Sequence, residues 1–121
     1  MRAVGASVLG ASVSAGEYAG ESCTVVALTG HASASARRVL EDVLMGEARK
    51  RPRRLVVDLS ATDSMDSVAL LVIVWASRVL DYAGGVLTLV SPQPEVARLL
   101  EHSGIAPMLP VYGSVADAAA G

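Results

Sequence analysis

"DSVALLVIVWASRVLDY", residues 66–82, decides the fold. Its centre, Val68 to Ala76, is apolar at every position and rich in β-branched residues. Periodicity alone fits either a buried strand or a buried helix. The length to Tyr82, the Asp66-Ser67 start and the polar positions Arg78 and Asp81 select a helix, which Gly84-Gly85 then ends. A helix apolar on every side must be covered on every side. A sheet takes one side, and the other needs neighbouring helices or a partner protein.

Outward from this helix the pattern alternates. "RLVVDLS", 54–60, is a short apolar run suited to a central strand covered on both faces. On the other side come a strand, "VLTLVS", and a proline-started helix, "PQPEVARLLEHSG", closed by Gly104. "MLPVYGS" predicts a last short strand, with Ser114 capping a terminal helix, "VADAAA". Upstream, a helix capped by Ser33 or Ser35 places Ala36, Val39, Leu40, Val43 and Leu44 on one face and Arg37, Arg38, Glu41 and Asp42 on the other. Gly46 and Pro52 mark its fraying end and the loop beyond. Before it, "GASVLGASVS" and "SCTVVALTG" read as strands joined by the turn "AGEYAGE". The expectation is one α/β domain over 1–121, with a core at about 22–120 and an N-terminal strand and turn at 1–21.

Composition narrows the class. Hydrophobic residues make up 52% of 121 residues, Phe is absent, and the longest apolar run is far short of the ~20 residues of a membrane span. Cys23 is alone, which excludes a disulfide framework and a cysteine metal site. Arg2 and "AVGASVLGASVSA" loosely imitate a secretory signal ending at Ala15, but Gly and Ser dilute its centre. An edge strand and a cytoplasmic protein are expected. Residues 1–54 hold eight basic and five acidic side chains, and residues 55–121 hold two and seven. The run "RKRPRR", 49–54, follows a helix C-terminus, where cations complement the dipole. It has no interleaved aromatics, so nucleic-acid binding is not favoured.

Asp66-Ser67 admits several readings. Asp66 is an N-cap and Ser67 a first-turn residue. As a nucleophile Ser67 lacks a recognisable base, since His31 and His102 stand in no motif, and there is no G-x-S-x-G elbow. As a phosphoacceptor it is well placed, because a helix N-terminus tolerates the added charge.

With those residues in view, "RLVVDLSATDSMDSVALLVIVWASRVLDYAGGVLTLVSPQPEVARLLEHSGIAPMLPVY" resembles the STAS domain of bacterial anti-sigma factor antagonists. Asp58-Leu59, Asp66-Ser67, Leu70, Gly84-Gly85, "LTLVSP", Leu100, Gly104 and Val111-Tyr112 carry the resemblance, over about residues 22–120. It implies a mixed sheet of about four to five strands with about four helices packed mainly on one side. It also implies partner switching, not enzymatic activity. The unphosphorylated antagonist binds an anti-sigma factor that is also a serine kinase, freeing the sigma factor, and phosphorylation of Ser67 ends that binding. A phosphatase resets the cycle, and ATP and Mg²⁺ belong to the kinase, so the chain itself needs no cofactor. The implied docking face is the loop from Thr62 with the start of the second helix. It comprises His31, Ser33, Asp63, Ser64, Met65, Asp66, Ser67, Val68 and Leu70. Departures from the pattern are Val68, Ala69 and Leu71 in place of smaller residues, Asp63 and Ser64 before the Asp, and "GHAS", 30–33, in place of an acidic turn. They motivate a second reading, a constitutive interaction module in a regulatory or transporter complex. Nucleotide or small-molecule binding is a third.

Overall fold

A computed structural model of the chain describes residues 9–105 and 108–121. The elements run β1 (Gly10–Tyr18), β2 (Glu21–Ala32), α1 (Arg37–Ala48), β3 (Arg54–Met65), α2 (Ser67–Tyr82), β4 (Val86–Val90), α3 (Pro94–Ser103), β5 (Val111–Tyr112) and α4 (Val115–Ala120). One 3-10 turn, Ala34–Ala36, precedes α1. The strands lie in sequence order, with β1 antiparallel to β2 and every later pair parallel.

Parallel neighbours need crossovers, and successive crossovers of one hand in one direction put their helices on one face. α1, α2 and α3 therefore share a face with Val26, Leu28, Leu55, Val57, Leu59, Leu87 and Leu89 in the main core. Alternate residues of the same strands point the other way. There α4 lays Ala118 and Ala119 on Cys23, Val56 and Val90, a smaller second core. Among the described residues three of the four helices are on one side, as the resemblance implied.

The helical reading of residues 66–82 holds, with α2 spanning Ser67–Tyr82. Ser114 accepts the Asp117 amide at 3.1 Å and caps α4, and Gly104 takes the left-handed conformation that closes α3, φ 75°. Other expectations need correction. β1 begins at Gly10 and continues through Tyr18, so most of "AGEYAGE" is strand. The turn is only Ala19-Gly20, both at positive φ, a geometry that matches the twist of the flanking strands. Residues 5–8 of the predicted strand, and residues 2–8 of the signal-like stretch, lie outside the described residues.

Val39, placed by periodicity on the covered face of α1, is exposed, because the buried stripe is Leu40, Leu44 and Ala48. The helix also runs through Gly46 to Ala48. In the basic run, Lys50 pairs with Glu47 and Arg53 with Glu21, each at 3.1 Å. Arg53 also donates to the Gly84 carbonyl. Two of its five cations are thus used inside the fold.

Candidate partner-docking site

The expected loop from Thr62 is strand. β3 extends to Met65 because β2 extends to Ala32 beside it, pairing Gly30 with Thr62, His31 with Ser64 and Ala32 with Met65. Two register shifts give β3 an extra residue opposite β2 each time, between Asp58 and Ala61 and again at Asp63. Such bulges re-aim side chains at the end of a strand. Thr62 is fully buried and anchors the irregular segment by donating its hydroxyl to the Leu28 carbonyl at 2.9 Å.

The chain then turns into α2 at Asp66, whose backbone is extended and whose carboxylate is divided between two segments. Oδ1 accepts the Ala69 amide at 3.0 Å, the N-cap bond of α2. Oδ2 accepts the Ala34 amide at 2.8 Å, in the 3-10 turn that starts α1. The Asp66 amide in turn donates to the Ala32 carbonyl at 3.0 Å. Neither Ser33 nor Ser35 makes the predicted side-chain cap; their hydroxyls hydrogen-bond each other at 2.8 Å. The first helix is reached by an acid from 32 positions downstream, a contact no local pattern encodes.

The fold brings most of the predicted residues together. His31 and Ser33 sit at the end of β2 beside Asp63, Ser64 and Met65 at the end of β3. His31 Nδ1 and Ser64 Oγ are hydrogen-bonded at 2.7 Å. Ser67 is exposed at the first position of α2, Val68 is half-buried, and Asp63 is exposed. Leu70 is different: it is 2% exposed and belongs to the main core, so it supports the helix start from beneath. Leu71 and Trp75, 47% and 46% exposed, follow Ser67 at intervals of four and continue its stripe down α2. Their signal in the sequence was that spacing.

This fold has known counterparts. A model of the STAS domain family matches residues 20–118. The chain belongs to the STAS domain family. A relative named as a candidate anti-sigma factor antagonist, BtrV of Bordetella bronchiseptica, is 31% identical over 96 residues. That match covers 79% of this chain and 83% of BtrV. The STAS fold is shared with an anti-sigma factor antagonist from Mycobacterium paratuberculosis, at TM-score 0.76, 24% identity and 90% and 91% of the two chains. SpoIIAA, an anti-sigma factor antagonist solved in unphosphorylated form, superposes at TM-score 0.70 with 18% identity over 88% and 92% of the chains. It has also been solved in phosphorylated form, from Bacillus. The same fold occurs inside a murine solute carrier 26 anion transporter, at TM-score 0.69 and 15% identity, covering 79% of this chain and 17% of that one. Among the described residues no helix is long and apolar enough to cross a membrane.

Proposed function

We propose that this STAS domain is an anti-sigma factor antagonist acting in the cytoplasm, where it binds an anti-sigma factor of the serine-kinase type and releases the sigma factor. Phosphorylation of Ser67 ends that binding. The kinship with BtrV supports the partner class, and SpoIIAA, solved with and without phosphate, shows that one antagonist of this fold is modified. The observation that carries the reading for this chain is an exposed serine at the first position of α2, directly after a fully engaged Asp66.

The chemistry follows from that placement. The kinase transfers the γ-phosphoryl of ATP to Ser67 Oγ, with the hydroxyl proton passing to a base of the kinase and ADP leaving. The chain is the substrate. A dianion at this position meets first-turn amides, which lack partners within any helix, and the positive end of the helix dipole. Because Asp66 already caps the helix, the fold does not need the phosphate and is not broken by it. The effect falls outward, on the exposed stripe of Ser67, Leu71 and Trp75, where a partner would meet two added charges. A coupling of about 1–3 kcal/mol, or roughly 5–150-fold in affinity, is typical of such switches.

The test uses Ser67→Asp and Ser67→Ala beside wild type as baits in the native host, read by mass spectrometry. Wild type and Ser67→Ala are expected to retain a kinase-type anti-sigma factor, which Ser67→Asp loses, and Ser67→Ala to take up no phosphate from it. Retention of the same partner by all three proteins would instead identify a constitutive interaction module.

A further inference from the structure

The sheet ends on one side at β1, and among the described residues no strand lies beyond it. Every residue from Ala11 to Tyr18 is exposed. Ala11, Val13 and Ala15 lie opposite the buried Leu28, Val26 and Thr24, so they share the helix side of the sheet, yet among the described residues no helix covers them. The pairing with β2 is unbroken over nine positions, which means β1 carries no bulge. It contains no proline and one charged residue, Glu17. Natural edge strands are protected by lysines, prolines, bulges, short length or a covering element. This strand shows none of those devices among the described residues.

An antiparallel edge is its own complement under a two-fold axis. Pairing along the whole of Gly10–Tyr18 puts that axis at Ser14, the midpoint. Tyr18 then stands opposite Gly10 of the second copy, Glu17 opposite Ala11, Gly16 opposite Ser12, and Ala15 opposite Val13. At each of these positions a larger side chain meets a smaller one. The two Glu17 carboxylates are held about 20 Å apart, well beyond the screening length of physiological salt. Val13, 45% exposed, gains an apolar neighbour from the second copy.

We propose that β1 is a self-association edge, and that its occupant is a second copy of this chain, joined antiparallel about Ser14. The sheet then runs continuously through both copies, and both Ser67 faces stay free, because they lie on α2 and not on β1.

Register-specific crosslinking tests it. Directly opposed residues of antiparallel strands have Cα atoms about 4.5–5.5 Å apart, within the span of a disulfide. Ser14→Cys is expected to form an intermolecular disulfide under mild oxidation. Ser12→Cys is not, since its two copies would stand about 13 Å apart. Wild type serves as the control for Cys23. Sedimentation equilibrium is expected to show twice the 12.4 kDa chain mass at high concentration. Val13→Lys, on an exposed side chain, should raise the dimer Kd about tenfold or more, with an unchanged circular dichroism spectrum. A wild-type mass of 12.4 kDa throughout the concentration series overturns the proposal. So does equal crosslinking at positions 12 and 14. A dimer weakened by Trp75→Lys but untouched by Val13→Lys overturns it too, since association would then run through α2.

Discussion

At Asp66 one carboxylate serves two segments, the first turn of α2 through Ala69 and the 3-10 turn before α1 through Ala34. Removing it leaves both amides without their acceptor. Asp66→Ala is therefore expected to lower stability by about 1–2 kcal/mol, measured by urea denaturation. Ser67, exposed and beyond the cap, should behave differently: Ser67→Ala is expected to change stability by less than about 0.5 kcal/mol. A larger loss at Ser67 than at Asp66 would show that the roles of the two neighbours are reversed. The cap of α2 was legible in the sequence because capping is local, an Asp directly before a helical run. The bond to Ala34 was not, because it depends on β2 and β3 ending side by side.

Among the elements, α2 packs against α1 and β4, and its end is as constrained as its start. Gly84 turns the chain out of the helix with φ 86°. At Gly85 a Cβ would lie 2.6 Å from the Pro52 carbonyl oxygen and 2.8 Å from Leu80 Cδ1. Backbone on one side and a core leucine on the other leave little room to yield. Gly85→Ala is expected to destabilise by about 1–3 kcal/mol, seen as a lower Tm, while Gly46→Ala, with open space around it and a helical backbone, should be neutral or stabilising. Helix termini were readable in α2, α3 and α4 because Asp and Ser cap nearby amides with their side chains, while Pro and Gly act through their own backbone. The extension of β3 through Asp63, Ser64 and Met65 was not, because Asp63 and Ser64 have weak strand preference and the segment is held by pairing Ser64 with His31 and Met65 with Ala32. For the same reason Val39 was misplaced: a helical pattern gives a face, and the neighbouring helix decides how much of that face it covers.

For the whole molecule, the far face of the sheet rests on one short helix. α4 covers Cys23 with Ala118 and Ala119 beside Val56 and Val90, and burial pushes the Cys23 thiol above its ordinary pKa, with the Arg54 guanidinium opposing. The native thiol should resist alkylation at mildly alkaline pH, both because it is covered and because little thiolate forms. Deleting residues 114–121 is expected to make Cys23 react with iodoacetamide under native conditions, read by mass spectrometry. If Cys23 stays unreactive without α4, the second core is closed by the strands alone. The alternation of elements, the identity of nearly every strand and helix and the position of the helix start at Ser67 were determined by the sequence itself, through apolar periodicity and cap residues that act over a few positions. What only the tertiary structure decided was which segments distant in the chain meet and which side chains they leave exposed. The instances are the second bond of Asp66, the strand conformation of residues 62–65, the burial of Leu70, and the exposure of Leu71 and Trp75. Each depends on which surfaces the packed layers leave over, and that is a property of the assembled sheet and helices, not of any stretch of the chain.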